Sequence, residues 1–251
     1  MCGRLSLTTP PDAVRTFFGY VEKPNFPPRY NIAPTQPLAT VRNEHGGRHF
    51  RLLRWGLIPA WVKDPGSFTL LINARAETAD QKPSFRNAMR HHRCLIPASG
   101  FYEWRRTPEG SQPLWIRPAE GNIMAFAGLW DTWCDPDGGD IDTGAILTIQ
   151  SNRMMSRIHH RMPVILKPEA FDDWLDVANV DRRHAVKLLQ PIEDDFLIAT
   201  PISNRVNKVS NDDEDVQREI SEEEMAAPLK PAPRAATASR AEKDDSQLDL
   251  F

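Results

Sequence analysis

The second residue of the chain is a cysteine, in the opening run Met1-Cys2-Gly3-Arg4. Methionine ahead of a small residue is normally trimmed, and Cys2 would then carry a free amine and a thiol on adjacent carbons. Such an aminothiol is matched to an aldehyde: the amine condenses to an imine and the thiol closes a five-membered thiazolidine. Ordinary pKa values of about 8 for the amine and about 8.5 for the thiol leave little of either deprotonated at neutral pH, so a nearby base would help. Glu103, in Phe101-Tyr102-Glu103-Trp104, is a candidate. Turned inward beside aromatic rings its carboxyl would be pushed toward a useful acid/base range; turned outward it is an ordinary strand glutamate. Ile158-His159-His160-Arg161-Met162-Pro163 supplies imidazoles able to move protons near neutrality. Asn73 and Arg75 stand two apart and share a face in extended chain, which suits an amide orienting a nucleophile beside a guanidinium holding phosphate. No metal site is expected, because His91-His92-Arg93-Cys94 has no second Cys/His pair at finger spacing and Cys2, Cys94 and Cys134 form no CxxC pair. No cofactor is expected either.

These residues need a scaffold. The chain has 251 residues, 40% hydrophobic and 26% charged, which suits a soluble protein of one large domain or two small ones. It has no apolar run of about 18 residues and no apolar h-region near its start, so neither a membrane span nor a secretory signal is expected. Three cysteines suit a reducing cytosol better than a disulfide scaffold. Short apolar or alternating runs bounded by turns predict strands at 38–42, 49–54, 94–97, 101–105, 114–117, 123–129, 145–149, 164–166 and 196–200. Helices are expected from Thr9-Pro10-Pro11-Asp12 onward and over 83–93, 152–158, 168–176 and 182–189. The two do not alternate regularly. The expectation is therefore an α+β fold, a mostly antiparallel curled sheet or barrel-like core with flanking helices. Residues 1–222 form the expected domain. The Ala/Pro-rich stretch 223–246 reads as a disordered linker, since it cannot bury enough apolar area to offset its ordering entropy.

Charge is distributed unevenly. Residues 1–107 carry 16 Lys and Arg, 13 of them Arg, against 7 Asp and Glu, whereas 211–251 carry 5 against 12. Arginine makes bidentate phosphate contacts better than lysine, so the basic portion reads either as a solvated surface or as a nucleic-acid face.

Six motifs sharpen this reading by their order. They are Met1-Cys-Gly-Arg4, Arg29-Tyr-Asn-Ile-Ala-Pro34, Arg54-Trp-Gly-Leu-Ile-Pro-Ala-Trp61, Asn73-Ala-Arg-Ala-Glu-Thr78, Cys94-Leu-Ile-Pro-Ala-Ser-Gly-Phe-Tyr-Glu-Trp104 and His159-x-Arg-Met-Pro163. Over about residues 2–210 the sequence resembles the SRAP family, the SOS-response-associated peptidases, also called abasic-site processing proteins. The resemblance implies a protein that binds single-stranded DNA and links covalently to abasic sites, with Cys2 as nucleophile on the ring-opened C1′ aldehyde. It implies that Asn73 positions the Cys2 amine and the sugar, that Glu103 shuttles protons, and that His159 assists ring opening. His160 fills a position that is often acidic in the family. Arg4 and Arg75 match phosphate-contacting positions, and Pro34, Trp61 and Trp104 match apolar residues near the bases, where stacking contributes about 1–3 kcal/mol per base. Core packing is the competing reading for each tryptophan, and the expected one for Trp55.

The chain ends Gln247-Leu248-Asp249-Leu250-Phe251, which looks like the pentapeptide that binds the bacterial DNA polymerase sliding clamp. A spacer of about 25 residues would reach roughly 25–30 Å as a coil. The expected protein is thus a monomer, cytoplasmic and acting at the nucleoid and replication fork, with Cys2-dependent autoprocessing and a possible peptidase or lyase activity. Two alternatives differ in class. One is an N-terminal-nucleophile cysteine hydrolase acting on amides through the same Cys2. The other is a noncatalytic, clamp-tethered single-strand binder in which Cys2 is passive.

Overall fold

Alternating apolar runs separated by turn residues fold into strands, because a period of two buries one face of each. The computed structural model describes residues 2–108, 110–135, 138–221 and 224. Its strands are β1 (Leu5–Leu7), β2 (Arg29–Ile32), β3 (Pro37–Glu44), β4 (Gly47–Trp55), β5 (Asn73–Arg75), β6 (Arg93–Ala98), β7 (Gly100–Thr107), β8 (Gly110–Pro118), β9 (Met124–Cys134), β10 (Asp140–Gln150), β11 (Arg161–Pro163), β12 (Ile165–Leu166) and β13 (Leu197–Pro201). The helices are α1 (Pro11–Phe18), α2 (Arg86–His91), α3 (Phe171–Leu175) and α4 (Arg182–Lys187), with short 3-10 turns between strands. No described helix is long and apolar enough to cross a membrane.

Two sheets result. One runs β13-β8-β7-β1-β2, antiparallel throughout. The other runs β11-β10-β4-β3-β6-β9-β12. Because β9 pairs with both β6 and β10, strands β9, β10, β4, β3 and β6 close into a barrel. Among the described residues, only β10 makes parallel pairs, with β4 and β5. The α+β expectation holds: the core is a curled, mostly antiparallel barrel with few, short helices around it.

Turn chemistry sets the longest early hairpin. His45 and Gly46 both take positive φ, 51° and 81°, the geometry whose twist matches a two-residue connection. β3 and β4 then pair in register from Glu44↔Gly47 to Pro37↔Arg54. Trp55, fully buried as expected, donates its indole N–H to Ile72 O (2.9 Å) and so ties the end of β4 to the entry of β5. Gly100 opens β7 where it crosses β1; a Cβ there would lie 2.2 Å from Trp115 Nε1.

Each expected strand has its counterpart, within a few residues. Strands β1, β2, β5 and β11 were not anticipated; they span three or four residues and exist only through distant partners. The helix expected at 152–158 is instead a 3-10 turn, Met155–Arg157. Asn152 Oδ1 accepts from Met155 N (2.9 Å) and starts the turn, which ends at once because β11 must return to β10. The expected helix at 83–93 shortens to α2, and Arg93 instead opens β6.

Candidate functional site

Strands remote in sequence bring the motif residues to the start of the chain. β1 lies beside β7 with Leu5 opposite Phe101 and Ser6 opposite Gly100. Tyr102 N donates to Arg4 O (3.0 Å), and this register carries Cys2 toward Glu103. Glu103 is only 4% exposed, which settles its orientation as inward. From the other side, β5 pairs with β10, Asn73 opposite Ile146 and Arg75 opposite Thr148. Asn73 Nδ2 donates to the carbonyl of Cys2 (2.8 Å). Its Oδ1 is buried and accepts no hydrogen bond among the described residues. Residues 2, 73 and 103 thus meet at one point.

Cys2 is fully buried, and its thiol donates weakly to Arg4 O (3.9 Å). Burial, and secondarily the negative charge of Glu103, push that thiol well above the ordinary cysteine range. A thiol so placed is neutral at physiological pH.

His159 stands where the chain turns from the 3-10 segment into β11. Its Nδ1 lies 3.0 Å from Arg161 N and 3.1 Å from Arg161 O, so the backbone of the turn holds the ring. His160 stacks on it at 4.4 Å. The His160 imidazole is held below its usual pKa by the charge of His159 first, with partial desolvation and the cations Arg161 and Arg75 adding to it. Arg161 grips Glu77 through both carboxylate oxygens (2.6 and 2.9 Å) and also donates to Thr148 O. That hydrogen bonding keeps Glu77 below the normal carboxylate range. Thr148 faces Arg75 on one side and Pro163 on the other, so β5, β10 and β11 set Arg75 and the His159 turn along one strand.

The expected DNA-contacting residues divide into two groups. Arg75 is exposed and Trp61 is 59% exposed, while Pro34 is half-buried. Arg4 and Trp104, also half-buried, hold other parts of the protein. Arg4 Nη1 donates to Asn31 Oδ1 (2.7 Å) and to Val206 O, its guanidinium lies 6.0 Å from the Trp104 ring centre, and Trp104 Nε1 donates to Asn207 Oδ1 (2.8 Å). Several arginines of the basic N-terminal portion are likewise committed: Arg29, Arg42, Arg48 and Arg51 pair with carboxylates, and Arg93 with backbone carbonyls. The tail residues Gln247, Leu248, Asp249, Leu250 and Phe251 lie outside the described residues.

Three residues that support the site were not singled out from the sequence. Asn31, inside the Arg29–Pro34 motif, donates to the carbonyls of Val206, Lys208 and Asn211. Asp212 accepts from Tyr30 N, Asn31 N and Arg29 Nε, although in sequence it looks like part of a solvated acidic run. Asp131 accepts from Ala60 N (3.0 Å), next to Trp61. Only the Asn31 motif carried a sequence signal for any of them. No group of three His, Cys, Asp or Glu side chains suited to a metal occurs among the described residues.

The chain matches the family model "SOS response associated peptidase (SRAP)" over residues 1–209. It is 40% identical over 215 residues to the abasic site processing protein YoqW of Bacillus subtilis, covering 84% of this chain and 96% of that one. It is 32% identical to the abasic site processing protein HMCES of Xenopus tropicalis, over 84% of this chain and 76% of that one. Among solved structures, a protein from Bacteroides thetaiotaomicron superposes with a TM-score of 0.80 at 26% identity, covering 88% of this chain and 100% of that chain.

Proposed function

The chain belongs to the SOS response associated peptidase (SRAP) family, and from that premise we propose that it binds single-stranded DNA and traps abasic sites covalently through Cys2. The observation that carries the proposal is the meeting at residue 2: Asn73 holds the Cys2 carbonyl, and the Glu103 carboxylate acts on the Cys2 thiol. The relatives named as abasic site processing proteins supply the substrate class.

The chemistry follows from the two groups on Cys2. Removal of Met1 must come first, to free the amine. The amine adds to the C1′ aldehyde of the opened sugar, and the carbinolamine loses water to give an imine. The thiol then adds across the imine carbon, its proton passing to the nitrogen, and the thiazolidine closes. One C–N and one C–S bond form, and one water leaves. The amine acts first because the thiol is held neutral. Asn73 Oδ1, the unused acceptor, is available to orient the amine. Glu103 moves the protons that the carbinolamine and the thiol exchange, and His159 assists ring opening.

The same electrostatics weigh against the hydrolase alternative. A cysteine hydrolase attacks as thiolate, and such cysteines sit where cations lower the pKa. Here burial and a carboxylate both raise it. The C-terminal pentapeptide would tether the protein to a sliding clamp and so bring it to replication forks, where single-stranded abasic DNA arises.

Intact mass spectrometry with an abasic oligonucleotide tests the reading. The mature protein is expected to give an adduct equal to protein plus DNA less one water. Cys2→Ala should give no stable adduct, and Cys2→Ser only an imine that needs reduction to be trapped; without the thiol neither closes the ring. A Cys2→Ala protein that crosslinks as well as the parent, or one still carrying Met1 that does so, overturns the mechanism.

A further inference from the structure

The loop from Gly56 to Ile72 joins β4 to β5 and carries Trp61, and the barrel grips it from beneath. Ile58 N donates to Thr143 Oγ1 (2.9 Å), Ala60 N to Asp131 Oδ2 (3.0 Å), and Trp133 Nε1 to Val62 O (2.6 Å). The gripping residues are neighbours on one face of the barrel wall: Asp131 pairs with Thr143, Trp133 with Ile141, and Arg54 lies opposite Thr143. Trp61 is therefore presented on a preformed loop, which spares the cost of ordering it on binding.

Between this loop and the wall lies a cavity of about 370 Å³, lined chiefly by Arg54, Ile58, Phe68, Leu70, Trp133 and Ile141. That volume falls within the about 300–1,000 Å³ typical of small-molecule sites. Leu70 and Ile141 are 41% and 40% exposed. Phe68 meets the exposed Trp61 edge-to-face at 5.7 Å, so the cavity adjoins the indole. Gly56, at φ 127°, permits the close approach of Leu70; a Cβ there would lie 2.3 Å from Leu70 Cδ1. Amid these apolar walls, Nη1 of Arg54 is buried and donates to no acceptor among the described residues.

Building on the single-strand reading above, we propose that this cavity is a base-reading subsite that takes a guanine of the bound strand through Arg54. Flat aromatic and aliphatic walls suit a base. Guanidinium has donors and no acceptor, so it matches the O6 and N7 acceptors of guanine and repels the amino groups of adenine and cytosine. A purely apolar occupant would offer the Arg54 guanidinium no acceptor. A phosphate would face mostly apolar walls and the carboxylate of Asp135, which also lines the cavity.

The test uses the full chain and oligo-dC strands with a central abasic analogue that has no aldehyde, fixing the register without crosslinking. A single dG is moved stepwise along both flanks, and affinity is read by fluorescence anisotropy. One register should bind about tenfold tighter, the lower part of what a bidentate guanine contact gives. Replacing that dG by 7-deazaguanine should remove the gain in the unaltered protein, and Arg54→Gln should flatten the profile. A flat profile in the unaltered protein, or full retention of the gain with 7-deazaguanine or in Arg54→Gln, overturns the subsite. Crosslinking of true abasic strands is scored separately, so a flat scan with intact crosslinking removes the subsite alone. Crosslinking that fails while the scan keeps its peak removes the trapping mechanism and leaves the subsite standing.

Discussion

At residue 2 the protein combines a reagent suited to aldehydes with surroundings that keep its sulfur quiet. A neutral thiol resists oxidation and stray alkylation, yet on the proposed mechanism it must lose its proton as the thiazolidine closes. Trapping by reduction should therefore reveal an imine that accumulates at lower pH and gives way to the stable ring as pH rises, because the thiol pKa is raised and deprotonation is the scarce event. Equal yields of both species at every pH would contradict this. Glu103→Gln keeps the shape and removes the proposed proton carrier, and should slow crosslinking about 100-fold, the lower end of acid/base contributions, with little change in DNA affinity. Unchanged crosslinking rates in a quench-flow or gel assay would remove the role. The convergence of Cys2, Asn73 and Glu103 was legible in the sequence because each sits in a motif whose order is specific. The internal contacts of Arg4 and Trp104 were not, because a residue type and a motif say nothing of the acceptor found one or two hundred residues away.

Among the elements, the long strands announced themselves by alternation and by turn residues such as His45-Gly46, whereas β1, β5 and β11 did not. Three residues carry too little pattern, and each is a strand only because another strand lies beside it. Those short strands position the site, so tertiary contacts at their ends matter. Arg161→Gln would strip the bidentate contact from Glu77 and a donor from Thr148 O, where β10 meets both β5 and β11. Losing a charged hydrogen bond at a partly buried carbonyl costs about 1–3 kcal/mol. The expected outcome is a lower melting temperature together with slower crosslinking, since the His159 turn hangs on the same backbone. The β3–β4 hairpin carries a second test. Burial pushes the Glu22 carboxyl up, but hydrogen bonds from Phe50 N, His49 and Arg51 outweigh it and hold it at about 2. A carboxylate depressed in the folded state contributes stability above its unfolded pKa and loses it as pH falls through the folded one. The stability difference between the parent and Glu22→Gln should thus be full at pH 7 and shrink from about pH 4.5 downward to about 2. A difference independent of pH in denaturant titrations would refute the assignment.

For the whole molecule, the segment after β13 decides where the folded unit ends. The expected domain runs to residue 222, although from Asn211 five acidic or amide side chains stand in a row. Yet Val206 and Val216 are fully buried with Tyr102 and Ile202 in a small second core, and Gln217 donates to the Tyr102 hydroxyl (3.0 Å). Asp212 and Asn31 stitch the same segment to β2. Hydrophobic patterning assigns this strap no element, because its two buried valines are single and ten apart and its hold is mostly polar. A chain ending at 203 would lose two buried valines, worth about 1.5–3 kcal/mol each, and leave Arg4 and Asn31 without their Val206 acceptor. At about 2–4 °C per kcal/mol, the melting temperature should fall by about 10 °C or more. Crosslinking should fall with it, because Arg4 pairs with Tyr102 two residues from Cys2. Removing only 247–251 should instead leave melting and crosslinking of free oligonucleotides unchanged while abolishing binding to a purified sliding clamp. The two truncations separate the roles of strap and tail: a stable, fully active chain ending at 203 would show the strap to be dispensable, and clamp binding that survives loss of the pentapeptide would dismiss the tether.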